Sequence, residues 1–205
     1  MTEIIDYLDK LLPNPKCELN YEKDYELLIA VMLSAQTTDK RVNMVTDILF
    51  KKYNSLEKLA SADINDIIEI IKPIGTFNKK ASNVISIAKS LVEDKQGIVP
   101  NDRTYLEGLS GVGRKTANVV LSNIYDVPCI AVDTHVSRVS KRLGIAKKND
   151  DVLTIEKKLN KNFPEEKLSR LHHQLVLFGR YHCKAKNPLC ENCELKNICK
   201  EKGKN

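Results

Sequence analysis

Two hundred and five residues, 42% of them hydrophobic, can bury a real core as one or two small domains, and no apolar run approaches a membrane span. Thirty-three Lys and Arg against 27 Asp and Glu leave a net charge of +6, which suits a polyanionic partner. Six cysteines in a lysine-rich chain, with no signal-peptide pattern ahead of the first helix, fit the cytoplasm and exclude a disulfide framework.

Helical periodicity runs almost throughout, and no segment reads as a strand. Ile4, Ile5, Leu8, Leu11 and Leu12 make an amphipathic first helix that stops at Pro13 and Pro15. Leu27 to Leu33 is apolar on every side, the mark of a buried central helix. Thr38 is the expected N-cap of a helix carrying Val42, Val45 and Leu49. Ile64 to Ile71 forms another stripe, and Ala81, Val84, Ile85, Ala88 and Leu91 form the next after a break at Gly75. Gly97 to Asp102 is a loop around Pro100. Two helices, Tyr105 to Leu109 and Arg114 to Ile124, follow before Val127-Pro128 breaks the chain. Further helices are expected over Thr134 to Leu143, Val152 to Leu159 and Leu168 to Phe178.

The most distinctive stretch is Leu109-Ser110-Gly111-Val112-Gly113-Arg114-Lys115-Thr116-Ala117. Two glycines one residue apart, beside apolar Leu109 and Val112, suit a tight hairpin that presents backbone N–H groups at the start of the next helix, a phosphate-binding arrangement. Lys115 falls in that helix's first turn, where the positive dipole end and Arg114 both favour an uncharged, nucleophilic amine. Eighteen residues later, Asp133 follows the apolar run Ile130-Ala131-Val132 and precedes a helix, so it reads as an N-cap with its carboxylate among backbone donors. Taken alone, these residues also fit a solvated phosphate contact and an ordinary cap.

Cys183, Cys190, Cys193 and Cys199 form C-x6-C-x2-C-x5-C, whereas Cys17 and Cys129 are isolated and read as small apolar residues. Four clustered thiols in a reducing compartment call for a metal. Spacing leaves Zn²⁺ and an iron–sulfur cluster both open. Basic residues gather nearby: Arg138, Lys141, Arg142, Lys147 and Lys148 within 133–148, and seven Lys or Arg against three Glu within 179–205, as in a nucleic-acid footprint. His172 and His173 are adjacent, face different sides of a helix and cannot chelate one metal, so packing is expected of them. His135 is expected to orient Asp133 or to pack beneath it, and Glu107 reads as a solvated helix face with a pocket acid as the alternative.

The run from Leu109 to Val120, followed by Ile130-Ala131-Val132-Asp133-Thr134-His135, resembles the helix-hairpin-helix and Gly/Pro-Asp signature of the endonuclease III DNA glycosylases. Leu27-Leu28-Ile29-Ala30-Val31-Met32-Leu33-Ser34-Ala35-Gln36, His172-His173, Gly179-Arg180-Tyr181 and the C-terminal cysteines occur in the family's order, so the likeness spans nearly the whole chain. It implies an all-α, two-domain helix-hairpin-helix glycosylase fold. A six-helix domain would cover residues 17–127, and residues 1–16 plus 128–205 would form a second helical domain with a C-terminal [4Fe-4S] cluster loop held by Cys183, Cys190, Cys193 and Cys199.

The resemblance further implies a monomeric, bifunctional DNA glycosylase and AP lyase acting on damaged double-stranded DNA, with oxidised pyrimidines as substrates. Lys115 and Asp133 would be catalytic, and Gln36, Gly111, Gly113, Arg114, Lys184 and Lys186 would contact DNA. Lys115 separates this reading from the monofunctional adenine glycosylase branch, which lacks the lysine. Two departures stand out. Thr76 occupies the place where many members carry a leucine wedge, and Ser110 replaces the usual hairpin proline.

Overall fold

The structure, a computed structural model, describes residues 1–201, so Lys202 and Lys204 of the second basic cluster lie outside the described residues. Every regular element among the described residues is helical, and none of the helices is long and apolar enough to cross a membrane. The chain divides into two compact units, Glu18–Tyr125 and the combination of Met1–Cys17 with Asp126–Asn205.

The N-terminal segment contributes α1 (Thr2–Leu11) to the second of these. In Glu18–Tyr125 the centre is α2 (Asp24–Leu33), where Leu27, Leu28, Ile29, Ala30 and Leu33 have no exposed surface. A helix apolar all round has to be enclosed. Packing against it are α3 (Asp39–Lys52), α6 (Phe77–Lys95) and α8 (Arg114–Tyr125). Thr38 caps α3, its hydroxyl accepting from the Arg41 N–H. The five-residue α4 (Leu56–Ala60) is too short to show a period in the sequence, yet it packs on α6 under a Ser55 cap. α5 (Ile64–Ile71) starts on the Asp63 carboxylate and runs into a 3₁₀ turn at Lys72–Ile74.

Two expectations in this unit are corrected. The buried face of α6 is Lys80, Ala81, Val84, Ile87, Ala88 and Leu91, while Ile85 is only half-buried. The i, i+4, i+7 progression from Lys80 sets that face, and a charged residue at its head conceals it from hydrophobic counting. α7 (Arg103–Gly108) begins two residues before the apolar pattern, because the Asp102 carboxylate caps it by accepting from the Tyr105 N–H.

The other unit packs α1, α9 (Thr134–Arg142), α10 (Val152–Asn162) and α11 (Leu168–Leu177) around Ile4, Leu8, Val136, Val139, Leu159 and Leu175. α1 and α11 are tied by Asp9, which accepts from Arg170 Nε at 2.7 Å and Gln174 Nε2 at 2.8 Å. α11 does not end at Phe178. It widens into a π turn over Phe178–His182, closed by the Cys183 N–H donating to the Phe178 carbonyl at 2.7 Å. Gly179 lets this turn lie close against α9, because a Cβ there would lie 2.9 Å from His135 Cβ.

Candidate active site and metal centre

The hairpin between α7 and α8 is pinned from below and open above. Leu109 and Val112 are buried, and the Val112 N–H donates to the Leu109 carbonyl at 3.1 Å to close the turn. Gly111 turns the chain at φ +77°, and a Cβ there would meet Asn83 Nδ2 of α6 at 2.2 Å, so only glycine fits unstrained. A Cβ at Gly113 would meet open space. Ser110 shares a 2.9 Å hydrogen bond with the Ser86 hydroxyl, so α6 braces the hairpin at that position. Gly111, Gly113, Arg114 and Lys115 are all exposed at the N-terminus of α8, the positive end of a helix dipole and a natural seat for phosphate. Glu107 pairs with Arg103 at 3.5 Å along α7 and is accounted for by that contact.

Asp133 is the N-cap of α9. Its Oδ1 accepts from the Val136 N–H at 2.8 Å, the carboxylate is half-buried, and its second oxygen is left for other work. His135 does not orient it. The His135 Nδ1 faces Arg138 Nη2 at 3.2 Å instead. Arg138 also donates to the Gly179 carbonyl at 2.6 Å and the Cys183 carbonyl at 3.2 Å. Burial and the like charge of Arg142 push its pKa down, while Cys183 and Asp133 oppose the shift.

Arg142, one turn further along α9, completes the attachment of the cysteine segment. Its Nη1 donates to the Lys184 carbonyl at 2.7 Å and lies 3.4 Å from Cys183 Sγ, while its Nε pairs with Glu201 at 2.8 Å. Two of the five charges counted in the first basic cluster therefore serve internal bonds. Sequence reasoning missed this role, although the i, i+4 spacing of two arginines on an otherwise apolar-stripe helix was a readable sign that they share a face.

Cys183, Cys190, Cys193 and Cys199 line one cavity of about 320 Å³. Burial pushes the thiols of Cys183 and Cys193 up, which leaves them as poor anions until a cation arrives. Among the described residues no three His, Cys, Asp or Glu side chains converge closely enough to hold a single metal ion. Four thiols lining one cavity suit a thiolate-bound metal centre, and the donor set serves Zn²⁺ and an iron–sulfur cluster alike. Cys129 is buried and Cys17 half-buried, both away from this group in the chain.

The remaining expected contact residues lie at the surface. Gln36 is exposed on a turn after α2 and has a left-handed backbone, φ +59°. Lys186 is exposed and Lys184 half-buried on the loop closed by Cys183 and Cys190. His172 is buried and its ring lies 5.0 Å from that of His173, in keeping with packing.

Residues 29–165 match the family described as the HhH-GPD superfamily of base excision DNA repair proteins. An endonuclease III of Bacillus subtilis (strain 168) is 48% identical over 197 residues, spanning 96% of this chain and 90% of that protein. The endonuclease III of Escherichia coli (strain K12) is 44% identical over 202 residues, spanning 98% and 95%. A solved trapped endonuclease III–DNA covalent intermediate superposes with a TM-score of 0.91 at 47% identity, over 96% of this chain and 92% of that one. A non-covalent endonuclease III–DNA complex superposes with a TM-score of 0.93 at 46% identity, over 98% and 94%.

Proposed function

This chain belongs to the HhH-GPD superfamily of base excision DNA repair proteins and is a DNA glycosylase and AP lyase, and on that premise we propose that Lys115 is its nucleophile, Asp133 its acid–base partner and oxidised pyrimidines in duplex DNA its substrates. The observation that carries the reading is the N-terminus of α8, where exposed Lys115 stands two residues after Gly113 of a hairpin suited to receive phosphate.

A damaged nucleotide must leave the stack before its glycosidic carbon can be reached, and the cost of extrusion is lowest at damaged pairs. The Lys115 amine attacks C1′ as the bond to the base breaks, and the cationic character that develops on the sugar is stabilised by the Asp133 carboxylate. Asp133 suits this role because its cap bond uses one oxygen and leaves the other to hold or accept a proton. Asp133 takes a proton from Nζ, the C1′–O4′ bond opens to leave an imine between Lys115 Nζ and C1′, and loss of a proton from the 2′ carbon, which the imine acidifies, expels the 3′ phosphate by β-elimination. Gln36, Gly111, Gly113, Arg114, Lys184 and Lys186 are assigned to DNA contact, with the protein acting as a cytoplasmic monomer at the nucleoid.

Borohydride should trap a covalent complex between the protein and damaged or abasic duplex. Lys115→Ala should abolish trapping and base removal while retaining duplex binding, and undiminished trapping in that variant would sink the assignment.

We also assign a [4Fe-4S] cluster to Cys183, Cys190, Cys193 and Cys199, supported by the cavity they line. Bound there, the cluster supplies four iron–thiolate bonds that cross-link a segment otherwise poor in regular structure. Protein purified without oxygen should be brown and carry iron and sulfide in cluster proportion. Stoichiometric zinc with no iron would defeat the assignment.

A further inference from the structure

Lys80 heads the buried face of α6, and the whole residue is only 5% exposed. Its Nζ donates to the Ala35 carbonyl at 2.8 Å and to the Ile74 carbonyl at 3.3 Å. Burial pushes its pKa down, with no neighbouring charge to offset the effect. An ammonium in such a place carries a desolvation cost that a methionine of similar length would avoid. What the cation does, and methionine cannot, is join two backbone carbonyls from loops some forty residues apart in the chain.

Those two loops share an unusual backbone. Gln36, next to Ala35, stands at φ +59°. Thr76, which follows Ile74 and Gly75, stands at φ +45°, a left-handed conformation that a β-branched residue rarely adopts. Both side chains are exposed. Left-handed non-glycine residues persist where surrounding structure holds them, and such strain gathers at binding sites. Here one buried ammonium lies beneath both.

We propose that Lys80 is a positioning residue for lesion recognition: by bonding Ala35 and Ile74 it holds the Gln36 and Thr76 turns at a fixed separation, so that the two side chains meet the duplex as one preorganised probe. The inference rests on Gln36 contacting DNA, as assigned above. Its physical basis is that a turn already locked in its bound shape loses little conformational freedom on binding, whereas an untied turn must be ordered then. Undamaged duplex, bound through phosphates at the hairpin and the basic loops, does not draw on this arrangement.

The test is a double-mutant cycle on the full-length, metal-replete protein, with Lys80→Met, Gln36→Ala and the double variant. Affinities are measured for an undamaged duplex and for one carrying a tetrahydrofuran abasic analogue, together with single-turnover base removal at saturating protein. Lys80→Met should cut the preference for the abasic duplex by roughly fivefold and slow single-turnover removal, with undamaged-duplex affinity held within about twofold. In the Gln36→Ala background the same change should cost less than about twofold, because half of the probe is gone and holding the two turns at a fixed separation no longer matters. Equal losses in both backgrounds, or an unchanged preference, would overturn the proposal. If Lys80→Met lacks native circular dichroism, Lys80→Gln, which keeps an amide donor, is carried through the cycle instead. Loss of native structure in both would assign Lys80 to fold maintenance alone. A wild-type protein that neither prefers the abasic duplex nor is trapped by borohydride would overturn the proposed function itself, a result distinct from failure at Lys80.

Discussion

At Asp133 one carboxylate has two duties that substitution can separate. Asparagine keeps an oxygen for the Val136 N–H and caps helices as well as aspartate, but carries no charge. Asp133→Asn should therefore melt like wild type while single-turnover base removal slows by about a hundredfold or more. Asp133→Ala should in addition lose about 1 kcal/mol of stability with the cap. An unchanged rate in the asparagine variant would remove Asp133 from the chemistry. The two hairpin glycines make a similar contrast. Gly111→Ala places a side chain at φ +77° against Asn83, and the left-handed backbone alone should cost about 1–2 kcal/mol, seen as a lower melting temperature. At Gly113 a Cβ meets open space, so Gly113→Ala should melt normally yet bind duplex more weakly, since the methyl occupies the phosphate approach. Normal binding by that variant would take Gly113 out of the DNA footprint.

Among elements, α9 and the cysteine segment depend on each other. Between Cys183 and the end of the described chain, regular structure amounts to a 3₁₀ turn at Glu194–Asn197, and Leu195 is its one fully buried apolar side chain. Arg138 and Arg142 hold the segment's start through backbone carbonyls, and the assigned metal centre would hold the rest. Removing the metal with a chelator should expose residues 183–201 to proteolysis while the far-ultraviolet helical signal falls little. Arg142→Met should speed metal loss in the same assay. The α1 to α11 tie gives a pH signature. The Arg170 hydrogen bond, followed by that from Gln174, holds Asp9 below its ordinary 3.8. A depressed carboxylate contributes stability that is in place above 3.8 and is lost as pH falls through its folded value. Urea melts of wild type and Asp9→Asn should thus differ by about 1 kcal/mol at pH 6, a half-exposed ion pair being partly screened, and converge in strong acid. A difference that persists there would mean that packing rather than charge joins the helices.

For the molecule as a whole, a net +6 overstates the charge available to DNA, because Arg138 and Arg142 serve internal bonds and Lys80 is buried. Salt dependence counts what remains, since each phosphate neutralised contributes about 0.9 to the slope of log K against log salt. Lys186 is exposed, so Lys186→Ala should lower the slope by about 0.9, and Lys184→Ala/Lys186→Ala by at most about 1.8. Lesion preference should survive, because both lysines are assigned to backbone contact. An unchanged slope with normal metal content would remove this loop from the footprint.

Much of this was legible in the amino-acid order because the signals are local. The enclosed helix at Leu27–Leu33, the Thr38 and Asp133 caps, the Gly111 turn and the all-helical character of the described residues each follow from residues within a few positions of one another. The motifs at Leu109–Val120 and Ile130–His135 were enough to indicate the family. The tertiary structure decided what depends on distant partners. It turned Arg138 and Arg142 from surface charge into anchors, gave Ser110 a brace in Ser86, and gathered four cysteines around one cavity. It also put Lys80 beneath two turns that the chain separates by some forty residues. A charged side chain reads as solvated until its neighbours are known, because only burial and the acceptors that three-dimensional packing supplies determine whether its charge faces water or holds the fold together.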